Sequence, residues 1–175
     1  MLQINHLSVT HIRDLRPIVT DFSLVLQPGE KAAVIGEEGN GKSTLLKLIY
    51  DDSLVAGYAE WTGQILRGQN RLGYLPQELT PEEQTQTVQA YWSCRSPLSA
   101  PEEAALLKQL DLPEALATWD RPLSRLSGGE RIKLQLARLL TAQPDILLLD
   151  EPSNDLDLTA LEFLEHFLST WPGAA

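Results

Sequence analysis

Gly36-Glu37-Glu38-Gly39-Asn40-Gly41-Lys42-Ser43-Thr44 fits G-x-x-x-x-G-K-[ST] without a mismatch. The stretch before it, Lys31-Ala32-Ala33-Val34-Ile35, is apolar after its first residue and is expected to form a buried strand. The stretch after it, Thr44-Leu45-Leu46-Lys47-Leu48-Ile49, reads as a helix. Strand, loop and helix is the context in which such a loop can cradle a triphosphate. Glycines let the backbone wrap close to the phosphates, and N–H groups at the helix N-terminus meet their negative charge. Lys42 is placed to reach the β- and γ-phosphates, and the Ser43 hydroxyl to ligate Mg²⁺. Glu37 and Glu38 are unfavourable beside a triphosphate unless their side chains turn out to water.

The rest of the chain is compatible with one globular domain around that loop. Its 175 residues, 43% of them hydrophobic, suffice for a sizeable core. No run approaches the roughly 20 apolar residues of a membrane span, and the first residues lack the basic and long apolar regions of a signal peptide. Cys94 is the only cysteine, so an internal disulfide is impossible, which suits a reducing cytoplasm. With 14 basic against 24 acidic residues the net charge is −10, and direct nucleic-acid binding is not expected of this segment.

Residues 1–30 alternate apolar and polar at Leu2, Ile4, Leu7 and Val9 and again at Phe22, Leu24 and Leu26, the pattern of two half-buried antiparallel strands. Short strand signals follow at Tyr58–Trp61, Gln64–Leu66 and Leu72–Leu75. From about Thr80 the composition turns rich in Glu, Gln and Ala. Ser99-Ala100-Pro101-Glu102 reads as a capping box opening a helix through about Leu110. A further helix is expected from about Gly129 to Leu140, with Ile132, Leu136, Leu139 and Leu140 on one face. Ile146–Leu149 reads as a buried parallel strand. Asp157 caps a last helix whose apolar face is assigned to Leu161, Leu164 and Leu168, helped by Phe163 and Phe167.

Ile146-Leu147-Leu148-Leu149-Asp150-Glu151 is an apolar strand ending in two acids. Beside a phosphate loop, the first acid suits the Mg²⁺ shell and the second suits polarisation of an attacking water. Leu126-Ser127-Gly128-Gly129-Glu130 sits at the start of the second long helix, where two glycines and a hydroxyl can present donors to an anion.

Together with Tyr74-Leu75-Pro76-Gln77-Glu78 and Asp150-Glu151-Pro152-Ser153-Asn154-Asp155-Leu156-Asp157, these motifs resemble those of the ABC (ATP-binding cassette) ATPases in order and spacing over essentially the whole chain. The resemblance implies an α/β fold: a P-loop NTPase core with a parallel sheet, an N-terminal antiparallel β subdomain and an inserted helical subdomain. Residues 1–77 and 127–175 would form the core, and 78–126 the helical part. It implies ATP and Mg²⁺ as ligands, hydrolysis assisted by Glu151 and Gln77, and a metal site built on Ser43, Gln77 and Asp150, the last through water. It implies head-to-tail pairing with a second cassette, in the same longer chain or in a homodimer. Ser127, Gly128 and Gly129 then face the ATP held by residues 36–44 of the partner.

Adenine is usually stacked on an aromatic residue of the first hairpin. Here that stretch is Thr10-His11-Ile12-Arg13-Asp14, and His11 is the substitute, with the Arg13 guanidinium as the alternative. Glu151-Pro152-Ser153-Asn154-Asp155-Leu156-Asp157 is close to the Glu-Pro-Thr-Asn-His-Leu-Asp pattern of ABC-F proteins, soluble tandem cassettes that act on ribosomes. Transporter cassettes, which serve membrane-spanning subunits, more often carry Ser-Ala-Leu-Asp there. The resemblance also implies a further strand leading to a switch histidine, and no histidine follows His166. The chain is therefore expected to be truncated, with its last catalytic strand missing and its hydrolysis impaired.

Overall fold

The computed structural model describes residues 1–175 except 38, 94–97 and 114–118, so Glu38 and Cys94 lie outside the described residues. The chain divides into two compact units. One comprises residues 1–74, 144–150 and 171–175; the other comprises 75–143 and 151–170.

In the first unit, β1 (Leu2–His11), β2 (Pro17–Leu26) and β3 (Ala59–Leu66) form an antiparallel sheet in the order β2-β1-β3. The apolar alternation of β1 carries its own interruption. Leu2 and Ile4 share one parity and Leu7 and Val9 the other, yet all four are almost completely buried. Side chains alternate faces with period two, so a shift of parity requires an extra residue. His6 is that residue, with φ 49, and the register of β1 against both neighbours shifts around it. Asp21 in β2 (φ 49) and Gly63 in β3 (φ 97) bulge beside it. The displaced donors are satisfied locally, His6 N–H by Ser23 Oγ at 2.9 Å and Asp21 N–H by Ser8 Oγ at 3.0 Å. A Cβ on Gly63 would collide with the His6 carbonyl, so only glycine fits there. The strand signals expected separately at 58–61 and 64–66 are thus one strand, bent at this glycine.

Helix α1 (Lys42–Tyr50) buries Leu45, Leu48 and Ile49 in the same core as Leu2 and Ile4. Each such side chain contributes about 1.5–3 kcal/mol of burial. Arg67, just beyond β3, donates from Nε to the Ile49 carbonyl (2.7 Å) and from Nη2 to the Leu48 carbonyl (2.9 Å), closing the C-terminus of α1 with a cation. Beside α1 lies the second sheet, β4 (Leu72–Leu75) hydrogen-bonded to β5 (Ile146–Leu149), with Ala174 bridging Ile146 in parallel. The fold is α/β, with an antiparallel N-terminal sheet and a parallel one.

Lys31–Ile35 is not a buried strand. Residues 31–37 have no regular structure and are exposed, Ile35 by 93%. Apolar composition supplies a tendency, but a strand exists only through a ladder. Here Ala175 supplies one pair of rungs: Ala32 N–H donates to its carbonyl at 2.7 Å and its N–H donates to Glu30 at 3.0 Å. Lys31 ties the same place down with its ammonium, which donates to the carbonyls of Gly29, Trp171 and Gly173.

The second unit is helical: α2 (Pro81–Thr85), α3 (Val88–Trp92), α4 (Ala100–Gln109), α5 (Gly128–Leu140) and α6 (Leu158–Thr170). Capping boxes open three of these helices, Thr80 with Glu83, Ser99 with Glu102 and Ser127 with Glu130. Helix α5 starts one residue earlier than expected and is buried beyond a single face, since Leu134 and Ala137 are enclosed along with Ile132 and Leu136. Asp157 caps α6, accepting from Ala160 N–H at 2.8 Å. The buried face of α6 is Ala160, Leu164 and Phe167, and Leu161 is 37% exposed. Leu164 and Phe167 are buried as expected and Leu168 is half-buried, but Ala160, whose small side chain packs on Gly129 of α5, takes the place expected of Leu161.

Candidate functional site

In the first unit, Gly41 is the N-cap of α1, with φ 81 and no side-chain cap. Gly39 shares the left-handed conformation (φ 79), and nothing lies within 4 Å of where its Cβ would be, so Gly39 answers a backbone demand. Gly41 answers two, because its Cβ would also collide with a methyl of Ile18 in β2. The loop turns through Asn40 N–H to the Glu37 carbonyl at 3.3 Å. Lys42 reaches back across it, its ammonium donating to the carbonyls of Gly36 (3.0 Å) and Glu37 (3.1 Å). Gly36 and Glu37 are exposed, and Thr44 lies in the first turn of α1.

Ser43 Oγ donates to Asp150 Oδ1 at 2.9 Å, across 107 residues of sequence. Asp150 is 2% exposed. Its second oxygen, Oδ2, accepts from the Tyr74 hydroxyl at 2.9 Å. The Tyr74 ring stacks on Tyr50, centroids 5.5 Å apart. Burial first, then the charge of Asp150, raises the Tyr74 phenol above its ordinary pKa, so it stays protonated and donates. Tyr74 is a residue of this site that sequence reasoning passed over as part of a strand.

These groups fit a nucleoside triphosphate with magnesium. A helix N-terminus without a side-chain cap, opened by two left-handed glycines, suits phosphate oxygens. A hydroxyl and one carboxylate are hard oxygen donors of the kind Mg²⁺ takes alongside phosphates and waters. Among the described residues there is no cluster of three His, Cys, Asp or Glu that could hold a metal unaided. Two cavities of about 390 and 340 Å³ lie elsewhere in this unit, and neither is lined by Lys42, Ser43 or Asp150.

His11 ends β1 near the hairpin tip. Its Nδ1 lies 2.9 Å from Asp14 Oδ1, and the Arg16 N–H holds the Asp14 carboxyl below its usual range. The Tyr58 ring stands 6.4 Å away, tilted by 42°. The aromatic neighbour of this hairpin therefore comes from the segment before β3, where sequence reasoning had not looked for it.

In the second unit, Gln77 Nε2 donates to Glu151 Oε2 at 3.1 Å, and Asn154 Nδ2 donates to the same oxygen at 2.7 Å. Glu151 is held at φ 47, a left-handed conformation that costs a non-glycine residue about 1–2 kcal/mol. Ser127 caps α5: its Oγ accepts from Glu130 N–H at 3.2 Å, and Glu130 Oε2 accepts from Ser127 N–H at 2.9 Å. Arg121 donates to the other Glu130 oxygen at 2.6 Å. Burial pushes the Glu130 carboxyl up, but the bonds from Ser127 and Arg121 outweigh it and leave it below its ordinary range. Gly128 meets the Asp155 carbonyl so closely that a Cβ would overlap it, and a Cβ on Gly129 would lie 3.0 Å from Ala160.

A family profile described as ABC transporter matches residues 19–154, the span from β2 through the carboxylate pair to Asn154. The chain belongs to the ABC transporter family. This ABC cassette is 32% identical over 95% of its length to the ribosome protection protein VmlR of Bacillus subtilis, of which it spans 29%. It is 35% identical over 90% of its length to the zinc import ATP-binding protein ZnuC of Cereibacter sphaeroides, spanning 61% of that protein. Its fold is also that of a solved ATP-binding subunit of an ABC transporter, with a TM-score of 0.71, 23% identity, and 97% of the cassette and 73% of that chain covered. The cassette thus spans about a third of one relative and three fifths of the other.

Proposed function

We propose that the chain is the nucleotide-binding cassette of an ABC-F type ATPase, binding ATP with Mg²⁺ and hydrolysing it in a head-to-tail pair whose target is the ribosome. The observation that carries this reading is the pair of amide hydrogen bonds on Glu151. One comes from Gln77. The other comes from Asn154, which stands where the Ser-Ala-Leu-Asp pattern of transporter cassettes has a serine, a side chain without an amide to give. The similarity to a ribosome protection protein supports the same branch.

Residues 36–44 take the triphosphate, with the exposed Glu37 turned to water. Lys42 leaves the carbonyls of Gly36 and Glu37 for the phosphates, a stronger charge-assisted partner. Ser43 and Asp150 would hold the metal, Asp150 through water, and Gln77 would complete its shell. When bound, Mg²⁺ neutralises charge on the β- and γ-phosphates. Glu151, the residue after Asp150, accepts the proton of the attacking water, with its carboxylate aimed by the two amides. His11 covers the adenine. Ser127, Gly128 and Gly129 close on the ATP of the facing cassette. Residues 1–77 and 127–175 act as the core and 78–126 as the helical part, in the cytoplasm.

A transporter role is the second reading, supported by the likeness to a zinc import ATP-binding protein. In that case the partners are membrane-spanning subunits. Two measurements test the proposal. Equilibrium binding of a fluorescent ATP analogue is expected for the wild-type chain and at least tenfold weaker for K42A; equal binding overturns the nucleotide site. The E151Q protein, stalled with ATP, is expected to pellet with ribosomes. Pelleting with membranes instead overturns the ABC-F half.

A further inference from the structure

Asp150 is buried and its two carboxylate oxygens are divided between two partners, Oδ1 to Ser43 and Oδ2 to Tyr74, each at 2.9 Å. A carboxylate anchored at one oxygen only can turn about its terminal torsion and exchange its oxygens, since that torsion is broad and two-fold. The Tyr74 hydroxyl removes this freedom. It is itself fixed from two sides, by the pairing of β4 with β5 and by the ring stack on Tyr50. A phenol also suits the place chemically. It is a neutral donor, so it orients Asp150 without cancelling the negative charge, whereas an Arg or Lys there would compete with a divalent cation for it.

We propose that Tyr74 is a positioning residue for magnesium, holding Oδ2 of Asp150 so that Oδ1 is the oxygen presented beside Ser43. The proposal rests on the reading of Ser43 and Asp150 as the metal side of the nucleotide site. Mg²⁺ demands near-octahedral geometry and keeps several waters, so a carboxylate serving it through water must present one oxygen in one direction. Partners that orient such groups from behind commonly change metal affinity by tenfold to a hundredfold when removed. Tyr74 touches neither phosphate nor metal in this scheme and acts through Asp150.

The test is ATP affinity of the 175-residue chain measured with and without Mg²⁺ by displacement of a fluorescent nucleotide, together with the Mg²⁺ concentration that gives half the enhancement. Y74F deletes one oxygen and keeps the ring stack. It is expected to leave metal-free ATP affinity unchanged and to raise the half-maximal Mg²⁺ about tenfold. Y50A removes the stack and leaves the hydroxyl. It is expected to lower the melting temperature and to shift the half-maximal Mg²⁺ clearly less than Y74F does, because the pairing of β4 with β5 still places the hydroxyl. D150N is the reference for the underlying reading and is expected to lose the Mg²⁺ enhancement. If D150N loses it and Y74F matches wild type, the Tyr74 proposal is overturned and the metal site stands. If Y50A weakens Mg²⁺ as much as Y74F, packing explains the effect and the proposal is likewise overturned. If D150N keeps the enhancement, the metal-site reading falls and takes the proposal with it.

Discussion

The side-chain amide of Asn154 donates to Oε2 of Glu151 across 2.7 Å, three residues along a chain that turns back on itself at a left-handed Glu151. The turn is closed by Asn154 N–H to the Glu151 carbonyl at 3.1 Å. The carboxylate proposed as general base is therefore aimed by its own loop as well as by Gln77. N154A is expected to lower ATP turnover by about tenfold to a hundredfold, the loss of one hydrogen bond to a charged group. Phosphate release and ATP affinity, measured together, check it: affinity is expected to hold, and a parallel loss of affinity would assign Asn154 to binding.

Gly128 is fixed by space. G128A drives a methyl into the Asp155 carbonyl, and is expected to destabilise by about 1–3 kcal/mol through overpacking. G129A meets only the Ala160 methyl at 3.0 Å and is expected to cost less. Urea unfolding of the two variants side by side decides it. An equal or reversed order would mean that the carbonyl yields more easily than the helix.

Ser127 and Glu130 cap α5 reciprocally, and S127A is expected to cost about 1 kcal/mol, read from the urea midpoint. Glu130 adds a pH dependence of known sign. Its folded pKa is depressed, so its contribution is fully present above the unfolded glutamate value of about 4.3 and is lost as pH falls through the lower folded value. The melting-temperature gap between wild type and E130Q is thus expected to be constant at neutral pH and to close below about pH 4. A gap that instead opens in acid would contradict the assigned direction.

Arg67 stabilises α1 from outside the helix. R67A leaves the Leu48 and Ile49 carbonyls without their cationic donor and is expected to cost about 1–2 kcal/mol. R67K, which keeps the charge but cannot reach both carbonyls with a rigid fork, is expected to recover part of it. Thermal melts of the three proteins suffice, and an R67K no better than R67A would show that the fork geometry matters more than the charge.

Gln143 follows α5 with φ 48 and an exposed side chain, its N–H donating to the Leu140 carbonyl at 2.9 Å. Glycine occupies that conformation without the Cβ penalty, so Q143G is expected to stabilise by about 0.5–1 kcal/mol. A rise in the urea midpoint checks it, and a fall would show that the glutamine side chain holds the helix end.

Features with local causes were legible before the fold was known. The capping box at Ser99 and the cap at Asp157 depend on residues three apart, and each is where spacing placed it, whereas the box of Ser127 with Glu130 came from the structure. The β1 and β2 strands follow from alternation. The parity change across His6 was present in the sequence too, yet its meaning, a bulge crossing three strands, needed Asp21 and Gly63 beside it. On α6, Leu164 and Phe167 are buried as expected, but hydrophobicity favoured Leu161 where packing favours Ala160, small enough to meet Gly129.

The sequence by itself determined the phosphate loop, the helix that follows it, the order of the motifs and through them the family, because these rest on spacing along the chain and on hydrogen bonds within a turn. Tertiary structure alone decided that Tyr74 holds Asp150 across 76 residues, that Gly128 abuts Asp155, and that Ala175 rather than an extended ladder pairs with the stretch before the loop. An apolar segment states a preference for burial, but only the strands brought beside it supply the partners that make it a strand.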